Sequence, residues 1–288
     1  MKPRSIVFDL FGDYLRYRGG QVPLRQLIAL LGQFDVAPST ARVVMTRLRR
    51  EGWFDTRPGA TGREVVYALN ERSWRMLDEG RERIFGDPRG TWEGWWYMVI
   101  YYVPENARAT REELRKELAW LGFGPLAAST WVSPHDRLAR VGEKFSGVSE
   151  VRIDLLRARS KGLPADRGMA ERSWDLVGLN ADYAAFLEQY RARLPRYRSR
   201  RLSPDEALRA RTALVHDYRL FPFRDPALPV ELLPAGWLGT DAYDLFMEGA
   251  ELLRSGAEEA VDGIVGPGRG AGTGPGDAGS ASPGSPGY

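Results

Sequence analysis

The 288-residue chain contains no cysteine. That excludes disulfides, thiolate nucleophiles and cysteine-ligated zinc, and it makes the reducing cytoplasm the expected compartment. Only two histidines occur, His135 and His216, and they stand far apart in no metal-ligand spacing, so both read as structural side chains. No apolar run approaches the length that crosses a bilayer, and no membrane partner is expected. Met1-Lys2-Pro3-Arg4 opens an amphipathic segment broken by Asp9 and Asp13, which does not read as a secretory leader. A G-x-S-x-G elbow, a Walker loop and a dinucleotide fingerprint are missing as well. Gly266-Pro267-Gly268-Arg269-Gly270 is glycine-rich, but no strand precedes it and no helix follows, so it is not read as a phosphate loop.

What is present is ordinary in bulk and uneven in placement. Hydrophobic residues make up 43% and charged residues 27%, in a chain long enough for two or three domains. The net charge is only +3, yet residues 1–69 carry 11 Lys and Arg against 6 Asp and Glu, and the remainder carries 30 against 32. A basic N-terminal module on a near-neutral body suggests a local contact with a polyanion.

Three amphipathic segments open the chain. Ile6, Val7, Leu10, Phe11 and Tyr14 share one helical face, and after Gly19-Gly20 the set Leu24, Leu27, Ile28 and Leu31 repeats the spacing. Ala41, Val44, Met45 and Leu48 form a third stripe, with Ser39 as the expected N-cap and Pro38 just outside. Opposite that stripe fall Ser39, Arg42, Val43, Thr46 and Arg50, with Thr40 beside the helix start and Arg47 and Arg49 on the flanks. Hydroxyls at a helix N-terminus suit phosphate oxygens, and arginine forks suit guanine O6 and N7 in the major groove. Two strand-like runs, Trp53 to Arg57 and Arg63 to Leu69, flank a Pro58–Gly62 turn and place Arg57 and Arg63 on the arms of a hairpin. Three helices and a basic hairpin predict a winged helix-turn-helix that contacts double-stranded DNA. A solvated basic face on a small helical bundle is the plainer alternative. A connecting helix from Ser73 to Phe85 and a boundary at Gly86–Gly90 follow.

Trp95 to Val103 is a continuous apolar run that reads as a buried strand. A helix over 110–121, a strand at Ser129–Ser133 and an alternating strand at Val151, Ile153 and Leu155 complete a β-α-β-β order, which suggests a ferredoxin-like unit. Further on, Leu179, Tyr183, Phe186, Leu187, Tyr190 and Leu194 form a helical stripe. Ser203-Pro204-Asp205-Glu206 is a capping box that opens a helix to about Tyr218, and a last helix covers roughly Asp241 to Leu253.

Four stretches carry a resemblance to the PaaX family of phenylacetate-catabolism regulators. They are Pro3–Tyr14, Ser39–Leu48 with Glu51-Gly52-Trp53, Trp174-Asp175-Leu176, and His216-Asp217-Tyr218-Arg219 through Arg224-Asp225-Pro226-Ala227-Leu228-Pro229 to Leu232-Leu233-Pro234. The resemblance implies an α+β chain with a winged-helix domain at 1–88, a ferredoxin-like domain at 92–165 and a helical domain at 172–255, while the Gly-, Ser-, Ala- and Pro-rich composition of 266–288 reads as a disordered tail. It implies a repressor, not an enzyme, that leaves its operator when an aryl-CoA thioester such as phenylacetyl-CoA binds, with no other cofactor. It also likens the middle domain to a small CRISPR-associated endonuclease, which would make a metal-dependent nuclease with a winged-helix targeting domain the alternative. That endonuclease places a metal-binding aspartate where this chain reads Tyr101-Tyr102-Val103-Pro104-Glu105. For the effector, Arg219 and Arg224 are candidates for the CoA phosphates, and Trp131, Trp174 and Trp237 for the aryl ring, against the alternative that all five serve packing or surface roles. One recognition helix covers few base pairs, so a homodimer reading two half-sites is expected.

Overall fold

The computed structural model describes residues 1–59, 62, 64–86, 92–148, 150–199 and 201–267. It is an α+β structure. In chain order it runs α1 (Pro3–Asp13), β1 (Gln21–Pro23), α2 (Leu24–Gly32), α3 (Pro38–Arg50), β2 (Phe54–Pro58), β3 (Val65–Leu69) and α4 (Glu71–Phe85). Then come β4 (Trp96–Tyr102), α5 (Arg108–Trp120), β5 (Gly124–Ala127), β6 (Thr130–Ser133), α6 (Leu138–Phe145) and β7 (Arg152–Ala158). The rest is helical: α7 (Leu163–Ser173), α8 (Leu176–Arg191), α9 (Leu194–Arg198), α10 (Pro204–Tyr218), α11 (Gly239–Leu252) and α12 (Arg254–Val265). None of the described helices is long and apolar enough to cross a membrane. Arg63, the centre of the hairpin turn, the boundary segment at 87–91 and the expected tail and glycine run from 268 on lie outside the described residues.

The chain forms two compact units. The first gathers Met1–Leu77, Leu202–Thr212 and the described residues from Arg254 on. Its core takes Ile6, Val7, Leu10 and Phe11 from α1, Leu27, Leu30 and Leu31 from α2, and Ala41, Met45 and Leu48 from α3. A three-stranded antiparallel sheet in the order β1-β3-β2 adds Val22, Phe54, Tyr67 and Leu69 to the same core. β1 has only three residues, too short to show an alternating pattern. Gly20 takes a left-handed φ of +66°, and a Cβ there would lie 2.4 Å from the Trp74 ring, so glycine is needed twice over.

Two segments distant in sequence complete this core: Leu208 of α10, and Ala257, Ala260 and Val261 of α12. Beside them Arg211 Nη1 meets Asp13 Oδ2 at 2.7 Å and donates to the Tyr14 hydroxyl at 3.1 Å. Both charged side chains are 7% exposed. Burial is the main force that pushes the Tyr14 phenol up to about 12, with Arg211 pulling the other way. The capping box predicted at the start of α10 is formed. Ser203 N donates to Glu206 Oε2 at 2.9 Å and Glu206 N to Ser203 Oγ at 3.3 Å.

The second unit holds Asp78–Arg201 and Ala213–Leu253. Its sheet is antiparallel in the order β5-β6-β4-β7, within a β4-α5-β5-β6-α6-β7 sequence. The expected three-strand order omits β5 and α6. β5 begins at Gly124-Pro125, residues with poor strand propensity, which hides it from a pattern reading. The continuous apolar run of β4 follows from two covered faces. Tyr97, Val99 and Tyr101 face the core built with α5 and α6, and Trp96 and Met98 face the one built with α7 and Leu228–Leu233.

The start of α3 corrects the sequence reading. The helix begins at Pro38, Ala37 is the N-cap, and no side chain caps it. Proline at the first helical position needs no partner for its missing N–H and has the right φ, so Ser39 moves inside the helix with its side chain exposed.

Removing one member of a buried ion pair strands its partner, at a cost of about 3–5 kcal/mol. Asp13→Ala should therefore lower stability by about that amount in urea unfolding, whereas joint Asp13→Leu and Arg211→Met should cost far less than the two single changes added together. Additive losses would show that the pair is not coupled.

Candidate nucleic-acid interface

The stripe that buries α3 decides which face it offers to solvent. With Ala41, Met45 and Leu48 in the core, Ser39, Thr40, Arg42, Val43, Arg47, Arg49 and Arg50 are exposed and Thr46 is half-buried. From Ser39 to Arg50 this surface spans about 16 Å, at 1.5 Å per residue. Val43, 66% exposed, puts an apolar side chain among the guanidinium groups, where it suits a thymine methyl.

The arginines of α3 are not equivalent. Arg47 Nε donates to Glu51 Oε1 at 2.9 Å, and Arg4 of α1 donates to the other oxygen of the same carboxylate. The hydrogen bond from Arg4, then that from Arg47, holds the Glu51 carboxyl below the usual range. Among the described residues Arg42, Arg49 and Arg50 form no ion pair, so their full charge faces solvent. Trp53, at the entry to β2, lies between Arg4, 6.0 Å from its ring centroid, and Arg72, at 3.9 Å. Ser73 Oγ donates to the Trp53 carbonyl, and Asn70 Nδ2 donates to that of Gly52 at 3.0 Å, so α4 and the residue before it fasten the base of the hairpin. On β2, Arg57 is exposed and its residue pairs with Val66 across the hairpin.

Basic side chains outside α3 and the hairpin escaped the sequence reading. Arg25, in the first turn of α2, is exposed, with Nε 3.5 Å from Glu64 Oε1 beside β3. Its place off the Leu24–Leu31 stripe was the available signal. Arg47 and Glu51, four residues apart on a helix, could likewise have been read as a pair.

Three domain families match the chain. They are "PaaX-like protein" over residues 2–73, "PaaX protein central Cas2-like domain" over 89–170 and "PaaX-like protein C-terminal domain" over 174–263. Transcriptional repressor PaaX of Escherichia coli strain K12 is 32% identical over 251 residues, which cover 84% of this chain and 77% of that protein. The chain belongs to the PaaX family. Among solved structures, the uncharacterized protein Rv0674 from Mycobacterium tuberculosis aligns with a TM-score of 0.60 at 25% identity, over 90% of this chain and 98% of that one.

The PaaX-type C-terminal stretch is held by buried polar contacts. Tyr183 Oη donates to Asp225 Oδ2 and Ala227 N to Asp225 Oδ1, both at 2.7 Å, and burial raises the Asp225 carboxyl against these bonds. His135 Nε2 sits 2.9 Å from the Ala227 carbonyl and burial lowers its pKa. His216 Nδ1 lies 3.4 Å from Arg219 Nη2. Among the described residues no group of three or more His, Asp or Glu could hold a metal ion, and neither the geometry nor the comparisons support a nuclease.

The structure brings Trp174 and Trp237 to one core and places Trp131 in another. Trp131 is buried in the core between the sheet and α5–α6, whereas Trp174 and Trp237 join the core on the other sheet face. There Trp174 stacks on Trp96 at 6.4 Å, and Trp237 meets the Tyr183 ring edge-on at 5.5 Å. Arg224 is engaged by Asp182, Nη1 to Oδ2, at 2.6 Å.

If the open arginines of α3 read bases, Arg42→Ala and Arg50→Ala should each cost about 1–3 kcal/mol on an operator and relax base preference. Arg47→Ala should cost less, because Glu51 already engages that guanidinium. Arg57→Ala should weaken binding to all sequences and flatten the salt dependence. Fluorescence anisotropy against operator and random duplexes at several salt concentrations tests this ordering, and equal losses on both duplexes for Arg42→Ala would rule out base reading by that residue.

Proposed function

We propose that this PaaX-family chain is a transcriptional repressor that reads operator DNA with α3 in the major groove, and that an aryl-CoA thioester such as phenylacetyl-CoA releases it. The observation that carries the reading is the outward face of α3, where open arginines follow hydroxyls at the helix start, opposite a fully buried stripe. In this reading α1, α2 and α3 with the β1-β3-β2 sheet form a winged helix-turn-helix, and the β2–β3 hairpin is the wing that meets phosphates. The β5-β6-β4-β7 unit is a ferredoxin-like domain. The name of the E. coli relative supports repression, and a regulator accounts for the chain better than an enzyme does.

Single reading heads cover too few base pairs for operator selection, so the repressor acts as a homodimer on a near-palindromic site. The effector works only by binding the DNA-incompetent arrangement more tightly, and the coupling is reciprocal. A coupling of about 1–3 kcal/mol weakens operator binding by roughly 5- to 150-fold. Calorimetry of phenylacetyl-CoA with and without saturating operator should show the same factor in thioester affinity. Equal affinities in the two titrations would remove the thioester as inducer, and free phenylacetate acting equally well would mean that the CoA portion is not read.

A further inference from the structure

The second unit brings three guanidinium groups to the end of α5. Arg83 Nη2 donates to the carbonyl of Trp120, and Arg137 Nη1 donates to that of the next residue, Leu121, at 2.9 Å. Arg140 stands one turn along α6 from Arg137, which is the residue before that helix. The two carbonyl contacts have a structural use, since the last carbonyls of a helix lack intrahelical partners. They do not use up the arginines, because a guanidinium offers five N–H donors. Among the described residues none of the three forms an ion pair.

Bringing these guanidinium groups together is electrostatically costly. Burial is the main force that lowers the pKa of Arg83 and of Arg137. Arg137 and Arg140 push Arg83 further down, Glu79 acts against them, and Arg140 also lowers Arg137. Asp136 is committed nearby, accepting from Leu138 N at 3.3 Å at the start of α6. An aromatic pair borders the cluster. Trp120 and Phe223 stack at 5.3 Å and 21°, are 39% and 38% exposed, and Arg83 lies 4.2 Å from the first ring and 5.6 Å from the second.

We propose that Arg83, Arg137 and Arg140 form an anion site for the phosphates of a nucleotide-bearing ligand, whose base rests against the exposed Trp120–Phe223 pair. Arginine forks match phosphate oxygens in pairs, and a bound anion offsets the repulsion among the three cations. Arg224, a candidate from sequence, is already neutralised by Asp182. The inference rests on the acyl-CoA reading to the extent that the nucleotide end of that thioester is the ligand.

The test is calorimetry on the full chain with two probes, adenosine 3′,5′-bisphosphate and phenylacetyl-CoA. Both should bind, and Arg137→Gln with Arg140→Gln should weaken both by about tenfold or more, the scale of charge-assisted hydrogen bonds. Arg140→Gln alone changes an exposed side chain that caps no carbonyl, and should give part of the loss with an unchanged melting temperature. Bisphosphate binding that depends on these arginines, without thioester binding, upholds the site and ends the acyl-CoA reading. Thioester binding of equal strength in all variants overturns the site and leaves that reading intact. No bisphosphate binding, with loss of affinity for random duplex DNA in the variants, assigns the cluster to a DNA backbone and also overturns it.

Discussion

Burial of one side of α3 is the constraint on which the first unit depends. Ala41, Met45 and Leu48 are fully enclosed, and at about 100° per residue no rotation of the helix keeps them covered while turning Arg42, Thr46 and Arg50 inward. The same hydrophobic burial that stabilises the unit therefore orients the basic face. Arg4, Glu51 and Arg47 add a polar tie across the end of the helix, and the Trp53–Arg72 contact fixes the entry to the hairpin. The basic face needs no strain of its own, because it is what the packing of α3 leaves outside.

The first unit is completed by segments far along the chain. Leu208 and the small residues Ala257, Ala260 and Val261 fill space that the N-terminal helices leave open, and the Arg211–Asp13 pair fixes how α10 meets α1. A buried ion pair gains little over apolar packing, but it penalises any displacement that separates the charges. In the second unit β4 packs against a core on each side, which uses most of that unit's tryptophans in packing. The aromatic pair at Trp120 and Phe223 differs because it remains more than a third exposed beside unneutralised arginines.

Much of this was legible in the chain. The stripes of α1, α2 and α3 and that of α8 are strongly periodic, and the Ser203–Glu206 box marks its helix start by residue type alone. Three of the missed elements carry weak signals. β1 and β5 are too short or too rich in glycine and proline to show a period of two. α12 packs through alanines, whose weak hydrophobic signal is lost among neighbouring glycine and acidic residues. The residue type of Ser39 favours a cap, but Pro38 displaces it because proline fits the first helical turn better.

By itself the sequence determined which residues face inward on each long helix, the basic character of the N-terminal module and the family, since these depend on residue type at short separation. Only the tertiary structure decided which arginines are neutralised. Arg47 and Arg4 share Glu51, Arg224 is held by Asp182 and Arg211 by Asp13, whereas Arg83 and Arg137 donate to carbonyls and form no ion pair among the described residues. Apart from Arg47 and Glu51, these partners lie about forty to two hundred residues apart. Charge pairing acts over a few ångströms of space and takes no account of distance along the chain, so no pattern of neighbouring residues could have revealed it.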